Sequence, residues 1–186
     1  ARPESKVLLL CSPHNPTGKV WTHEELTAMA LLCERHEVKV ISDEIHMDMV
    51  WGAQQHIPWC NVARSPWALF SSASKSFNIP ALTGAWGLFG DKASRNGYLD
   101  ALKNANGLSS PSVLAVAAHL AAYREGAPWL EAMRSYLRAH LVYLATTLND
   151  AFPQLRWQPP ASTYLAWLDL RALDLAADTL HQSLLA

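Results

Sequence analysis

Three polar side chains that could do chemistry each lie just beyond an apolar run of the sequence. Asn15, Asp43 and Lys75 follow the first, second and third of these runs. An ionised carboxylate next to a buried strand is costly unless it has a cationic or hydrogen-bonded partner. A lysine amine can act as a nucleophile. A lone lysine is more often a surface charge, so the interest of Lys75 comes from the residues around it.

Two serines, Ser72 and Ser74, precede Lys75 in the same short polar segment. Serine hydroxyls donate hydrogen bonds to phosphate groups. A lysine nucleophile, the Asp43 carboxylate and several hydroxyl donors are together the groups that bind pyridoxal phosphate. The residue types therefore favour a pyridoxal-phosphate site over a surface charge at Lys75.

Two hydrolase motifs and a nucleotide-binding motif are absent. Gly18 and Lys19 lie between a predicted strand and a predicted helix, as in a phosphate-binding loop. That motif needs a glycine where Pro13 stands and a serine or threonine where Val20 stands. Neither His-Glu-x-x-His nor Gly-x-Ser-x-Gly occurs in the chain.

Two Cys-x-x-His pairs, Cys11 with His14 and Cys33 with His36, have spacings that zinc sites also use. Cys11 ends an apolar run and Cys33 lies on the apolar face of a predicted helix. Buried cysteine is common at such positions without any chemical role. We therefore predict no metal site.

The polar side chains are placed by short apolar runs that are typical of an α/β fold. Thr22 and Glu25 form a capping-box pattern, which predicts a helix between the first two runs. One helix between two strands predicts a parallel pair with a right-handed crossover. Ligands of open α/β sheets lie beyond the carboxyl ends of the strands, where the polar side chains stand. The predicted strands are residues 7–11, 38–41, 67–70 and 85–89.

The second half of the chain has a different pattern. Long helical patterns cover residues 110–123 and 129–148, and residues 155–158 and 163–168 predict a pair of strands around Pro159 and Pro160. A last helical pattern covers residues 173–185. These elements predict a large domain over residues 1–127 and a smaller α+β domain over residues 128–186.

Composition excludes several classes of protein. Of the 186 residues, 50% are hydrophobic and 17% are charged, which excludes a disordered chain. The net charge of -1 gives no reason to expect nucleic acid or an anionic membrane as partner. Three cysteines imply no disulfide framework, so we expect a soluble, cytoplasmic protein. The chain lacks an initial Met and stops inside a helical pattern, so we expect it to be a fragment.

Three ordered motifs resemble the fold-type I pyridoxal-phosphate enzymes of the class I/II aminotransferase family. Asp43 lies 28 residues after Asn15, and Lys75 lies 32 residues after Asp43, which fits the family. The Ile45-His46-x-Asp48 pattern is most similar to the branch of cystathionine β-lyases (carbon–sulfur lyases) and maltose-regulon modulators. Residues 160–169 resemble the small-domain segment of that branch. The motifs are SPHNPTG (residues 12–18), SDEIHMD (residues 42–48) and SASKSFN (residues 72–78).

The resemblance implies a fold and a set of residue roles. The chain would form part of the large cofactor-binding domain, with a mostly parallel sheet and flanking helices, and part of the small domain. Lys75 would hold the aldehyde of pyridoxal phosphate as a Schiff base and then act as the proton-shuttling base. Asp43 would pair with the pyridine nitrogen and keep it protonated.

Four further residues would bind the same cofactor. Asn15 would donate a hydrogen bond to the phenolic oxygen, and His46 stands where a related branch carries a tyrosine directed at that oxygen. Ser72 and Ser74 would offer hydroxyls to the phosphate.

The resemblance implies a homodimeric enzyme of amino-acid metabolism. We expect a β-lyase that releases a thiol, pyruvate and ammonia from a cysteine conjugate such as cystathionine. An aminotransferase shares every one of these cofactor contacts and remains an alternative, since the two reactions diverge only after the Cα proton is removed. A non-catalytic regulator that keeps the cofactor is the third possibility.

Overall fold

The computed structural model describes residues 4–108 and 111–185. Its four-stranded sheet has the order β1-β2-β3-β4, in which β1, β2 and β3 are parallel and β4 is antiparallel to β3. The predicted α/β class, with a mostly parallel sheet, is confirmed, and each predicted strand agrees with an observed one to within about two residues. The strands are β1 Val7–Cys11, β2 Lys39–Asp43, β3 Trp67–Ser71 and β4 Trp86–Phe89.

The helices flank the sheet and dominate the second half of the described chain. The π-helical residues Ala101–Ala105 continue α3, which the sequence analysis did not predict. The predicted helix over residues 110–123 begins at Val113 in the structure, and Ser110 lies outside the described residues. The helices are α1 His23–Arg35, α2 Ala73–Ser76, α3 Lys92–Asp100, α4 Val113–Glu125, α5 Ala127–Ala151 and α6 Ala177–Leu185.

The predicted capping box begins α1. Thr22 Oγ1 accepts a hydrogen bond from the Glu25 backbone N–H at 3.2 Å, and Glu25 Oε2 accepts one from the Thr22 N–H at 2.9 Å. Both bonds satisfy N–H groups that a helix start otherwise leaves unpaired. This start directs Leu26, Ala30 and Cys33 of α1 into the core.

The two faces of the sheet differ in burial. Leu10, Val40 and Leu69 point to one face and pack with α1 and the fully buried Trp59 in the main core. Leu9 and Ile41, which are register partners, point to the other face and are exposed by 75% and 37%. Since strand side chains alternate between faces, the sheet buries one side and leaves the other open within the described residues.

The predicted strand pair in the second half is wrong. Residues 155–158 and 163–168 form no strand, and a 3-10 turn covers Pro153–Leu155. Ser162 forms an isolated antiparallel bridge with Val50 instead.

The backbone of this segment is bonded to side chains and loops rather than to a neighbouring strand. The Trp157 N–H donates to Asn149 Oδ1 at 2.8 Å, and its carbonyl accepts from Asn149 Nδ2 at 2.9 Å. Arg156 has a φ of 47°, which lies in the left-handed region outside strand geometry. The prolines at 159 and 160 have no N–H to donate to a ladder.

A second core cluster forms around α5. Leu141 and Ala145 of this helix pack with Met49 and Trp51, which follow β2, and with Trp157. The predicted boundary near residue 128 coincides with the junction of α4 and α5, and the division into two domains stays a prediction. No helix within residues 4–108 and 111–185 is both long and apolar enough to cross a bilayer.

Candidate active site at the carboxyl edge of the sheet

The carboxyl ends of the three parallel strands meet at one edge. Cys11 is the register partner of Asp43, and Asp43 is the register partner of Phe70. The Ser12 N–H donates to the Asp43 carbonyl at 3.0 Å, and the Glu44 N–H donates to the Phe70 carbonyl at 2.9 Å. The chain segments that carry Asn15, Asp43 and Lys75 therefore start side by side, as the sequence predicts.

The loop after β1 is closed by its own backbone and by a distant segment. The His14 N–H donates to the Lys19 carbonyl at 2.9 Å, and Asn15 is exposed within this loop. Gly18 has a φ of +67°, and a Cβ placed there would overlap the Pro160 side chain and the Ser162 carbonyl oxygen. Ser162 Oγ donates to the Gly18 carbonyl at 2.9 Å. Glycine is required here both by conformation and by space.

Asp43 lines a depression of about 400 Å³ at the end of β2. Its Oδ1 accepts a hydrogen bond from the Ile45 N–H at 3.1 Å, and the residue is exposed. Burial raises the pKa of the Cys11 thiol, and the nearby Asp43 charge acts in the same direction. The depression is also lined by Ile45, Phe70, Ser71 and Ser72.

Lys75 lies on α2, a helix of four residues. Ser72 caps its start, because Ser72 Oγ accepts from the Ser74 N–H at 3.1 Å and donates to the Gly84 carbonyl at 2.6 Å. The single Ser72 hydroxyl proton is thus already used within the protein. Ser72 Oγ also lies 3.0 Å from Ser74 Oγ, so the two hydroxyls are hydrogen-bonded to each other.

Lys75 and Ser74 line a second depression, of about 410 Å³, whose other walls are mostly apolar. Asp43 and Ser72 line the first depression, and the chain segments that carry the amine and the carboxylate start side by side at the same edge of the sheet. Ser76 and Asn78 are further polar residues that line this second depression. The apolar walls come from Met49, Pro80, Trp129, Met133, Leu137 and Tyr164.

The charges of both Asp43 and Lys75 act on His46. It is only 2% exposed, and its ring contacts the Tyr164 ring edge-on at a centroid distance of 5.6 Å. Burial lowers the pKa of His46 below its usual value, the Asp43 charge acts to raise it, and the Lys75 charge acts to lower it further. Among the described residues, His46 Nδ1 has no hydrogen-bond partner. The imidazole is therefore predominantly neutral at neutral pH, and its Nδ1 is buried without a partner.

Glu44 is a buried residue of the site that the sequence analysis did not assign. Its side chain is 0% exposed and accepts hydrogen bonds from His56 Nε2 at 2.7 Å, the Trp59 N–H at 2.8 Å and Ser42 Oγ at 2.9 Å. The position of a glutamate directly after Asp43 is visible in the sequence. Its pairing with a histidine twelve residues later is a tertiary contact that no local pattern shows.

The chemistry of the donors fits pyridoxal phosphate better than a metal ion. An amine for the aldehyde, a carboxylate for the ring nitrogen, a hydroxyl for the phosphate and the unpartnered His46 nitrogen all occur at one edge. Within residues 4–108 and 111–185, no group of three or more His, Cys, Asp or Glu residues could hold a metal ion. Cys11 and Cys33, the two cysteines of the Cys-x-x-His pairs, are both free thiols.

The chain is similar to several known proteins. It is 65% identical over 185 residues to Protein MalY of Escherichia coli (strain K12), covering 100% of this chain and 47% of that protein. It is 33% identical over 187 residues to Cystathionine beta-lyase PatB of Bacillus subtilis (strain 168), covering 98% of this chain and 48% of that protein. The crystal structure of the PLP-bound C-S lyase from Staphylococcus hominis matches with a TM-score of 0.82 and 33% identity, over 92% of this chain and 44% of that one.

The chain thus spans about half the length of the curated relatives that it matches. The sequence profile of the family described as Aminotransferase class I and II matches residues 1–186. The strand order, the polar edge of the sheet and this match agree, and the chain belongs to the class I and II aminotransferase family.

Proposed function

We propose that the full-length protein is a pyridoxal-phosphate-dependent carbon–sulfur β-lyase that acts on amino acids such as cystathionine. The observation that carries the proposal is the meeting of the Asp43 and Lys75 segments at one sheet edge, with His46 responding to the charges of both. A relative named as a cystathionine β-lyase and a structure named as a C-S lyase support the reaction class.

Asp43 and Lys75 have the central roles in this proposal. When bound, pyridoxal phosphate supplies an electron sink for the electron pair left at the substrate Cα. The Asp43 carboxylate pairs with the ring nitrogen and keeps a proton on it. Lys75 Nζ would hold the aldehyde carbon of the cofactor, and its amine, once free, would take the Cα proton of the substrate and give it to the departing thiolate.

Three other residues orient the cofactor. Asn15 and the neutral imidazole of His46 share the phenolic oxygen. Ser74 donates its hydroxyl to the phosphate, while Ser72 holds the turn through its bond to the Gly84 carbonyl. The apolar walls beside Lys75, which include Met49 and Met133, suit the thioether part of a substrate side chain.

An aminotransferase is the second candidate, since the family to which the chain belongs carries that name. Both reactions begin with removal of the Cα proton by Lys75. They differ in whether the β-substituent leaves or the amino group is passed to a 2-oxo acid.

We further propose that the protein is a cytoplasmic homodimer in which residues 1–127 and 128–186 belong to a large and a small domain. The three free cysteines support a reducing compartment. The strongly exposed Val113 and Leu114 at the start of α4 support an interface with a second copy. The junction of α4 and α5 at Gly126 supports the domain boundary.

The decisive experiment uses the full-length protein with pyridoxal phosphate and cystathionine. Release of pyruvate and thiol supports the lyase, and formation of an amino acid from an added 2-oxo acid supports the aminotransferase. Borohydride reduction followed by peptide mapping should label Lys75, with the exposed Lys19 and Lys92 as internal controls. A cofactor-loaded protein that forms neither product would favour the third possibility, a non-catalytic regulator.

A further inference from the structure

The helix that carries Lys75 cannot be stable by itself. α2 has four residues, and isolated helices of this length do not form in water because their nucleation is unfavourable. Its orientation must therefore come from contacts with the rest of the protein. Ser72 provides one such contact at its start, through the Gly84 carbonyl.

The end of α2 is held by a second side-chain contact. Ser76 is 0% exposed, and its hydroxyl donates a hydrogen bond of 2.8 Å to Asp48 Oδ2. Hydrogen bonds to a carboxylate are shorter and stronger than those between neutral groups. Ser76 is the neighbour of Lys75 in the chain, so this bond acts directly on the backbone that carries the amine.

Asp48 belongs to the short loop that directly follows Asp43 at the end of β2 and also carries His46. The loop is fixed by its own turns, because the Met47 N–H donates to the Glu44 carbonyl and the Met49 N–H donates to the His46 carbonyl, both at 2.9 Å. The end of β2 and the loop after it therefore carry the predicted ring-nitrogen partner, the predicted phenolic-oxygen partner and the acceptor of the Ser76 hydroxyl.

A tyrosine of α4 also lies close to Asp48. Burial raises the pKa of Tyr123, and the Asp48 charge acts in the same direction. Tyr123 Oη accepts a hydrogen bond of 3.2 Å from Trp86 Nε1 of β4. Asp48 is thus half-buried among neutral hydroxyl groups, and the Ser76 hydroxyl is the one that donates to it.

We propose that Asp48 is a positioning residue, which through Ser76 fixes the turn of Lys75 relative to Asp43 and His46. The proposal rests on the proposed function for its catalytic meaning. It gives a role to the aspartate of the Ile45-His46-x-Asp48 pattern, which the cofactor contacts leave unassigned.

The first test measures how stably the turn that carries Lys75 is held in the cofactor-free, full-length protein. Hydrogen exchange of the amides in residues 77–79, which bond to carbonyls of α2, should speed up roughly tenfold in both Asp48→Ala and Ser76→Ala. Ser65→Ala is the matched control, since Ser65 is buried and its hydroxyl has no partner among the described residues. Unchanged exchange in Asp48→Ala would overturn the proposal.

The second test uses the holoenzyme. Asp48→Ala and Ser76→Ala should each shift the pH midpoint of the visible absorbance of the bound cofactor by about half a pH unit or more. Each should lower kcat roughly 10-fold to 100-fold with little change in KM, because the amine is misplaced. The double variant should lose no more kcat than either single variant, since both single variants remove the same hydrogen bond. Asp48→Asn keeps an oxygen acceptor for the Ser76 hydroxyl and should therefore retain most of the wild-type kcat and pH midpoint.

The outcomes separate the two proposals. Additive losses in the double variant, or a neutral Ser76→Ala with a damaged Asp48→Asn, would show that Asp48 acts through its charge alone and would overturn the positioning role. If the wild-type protein shows no visible cofactor band while the exchange changes as expected, the proposed function fails and the positioning role stands.

Discussion

At the scale of single residues, two adjacent acids at the end of β2 have opposite surroundings. Asp43 is exposed in a depression, whereas Glu44 is fully buried and accepts hydrogen bonds from three donors. Successive side chains at a strand end point in opposite directions. One acid can therefore face a ligand while its neighbour ties the following loop to the core through His56 and Trp59.

Replacing each acid should separate these roles. Asp43→Ala should lower kcat of the full-length enzyme by at least about 100-fold and leave the free energy of unfolding nearly unchanged. Glu44→Ala should lower that free energy by about 3–5 kcal/mol, because His56 and the Trp59 N–H lose a buried partner. Urea unfolding and steady-state kinetics measure the two effects. Equal destabilisation by both variants would contradict the assignment.

His46 should make the stability depend on pH. Burial lowers its pKa in the folded protein, so the unfolded chain binds a proton first as the pH falls below about 6.5. Folding stability should therefore decrease from about pH 7.5 to about pH 5.5. His46→Gln should decrease less over the same interval in urea unfolding of the cofactor-free protein. Parallel curves for the two proteins would exclude this contribution.

At the scale of elements, the candidate site lies on the shortest segments, and longer elements hold these in place. Lys75 is on a four-residue helix, and Asn15 is on the loop between β1 and α1. The Ser72 cap and the Asp48–Ser76 bond orient the first segment. The Ser162–Gly18 bond anchors the second to a segment that is 144 residues away in the chain.

Gly18 should tolerate no side chain. Gly18→Ala should lower the free energy of unfolding by at least about 2 kcal/mol. An alanine is strained at the positive φ of this position, and its Cβ overlaps Pro160. It should also weaken cofactor binding, since Asn15 is in the same loop. Gly97→Ala is the matched control: nothing lies within 4 Å of its added Cβ on α3, and it should stabilise by about 0.5–1 kcal/mol. A Gly18→Ala protein as stable as wild type would show that the loop can move away.

At the scale of the whole molecule, the described chain has one core on one side of the sheet and a second around α5. The opposite side of the sheet presents Val7 and Leu9 of β1 next to Ile41 of β2, all exposed. Contiguous exposed apolar surface of this kind marks a contact site or an aggregation liability. Within the described residues, β1 is also an edge strand, which adds unpaired backbone groups.

The 186-residue chain by itself should therefore associate. Sedimentation velocity should show species larger than a monomer, and Leu9→Glu should reduce them because it places a charge in the middle of the open face. Leu31→Glu, at an exposed leucine of α1, should leave association unchanged.

The isolated chain should also be inactive toward cystathionine, with pyruvate release more than about tenfold below that of the full-length enzyme. A monodisperse, active monomer would contradict both expectations.

Local signals account for the parts of the fold that the sequence predicted correctly. The Thr22–Glu25 capping box and the apolar runs at Val7–Cys11 and residues 38–41 act over a few neighbouring residues, so their outcome is visible without tertiary structure. The prediction failed at residues 155–158 and 163–168, where the local pattern favoured strands. At residues 155–158, the side chain of Asn149, near the end of the preceding helix α5, binds the Trp157 backbone and overrides the local preference.

The sequence by itself determined which groups stand at the carboxyl ends of the strands, because strand ends are set by local apolar patterns and ordered motifs. Only the tertiary structure decided how these groups meet. It buries Glu44 against His56 and joins Asp48 to Ser76 over 28 residues. Such contacts depend on how the elements pack, and their free energies come from burial and from pairing of polar groups that are distant in the chain.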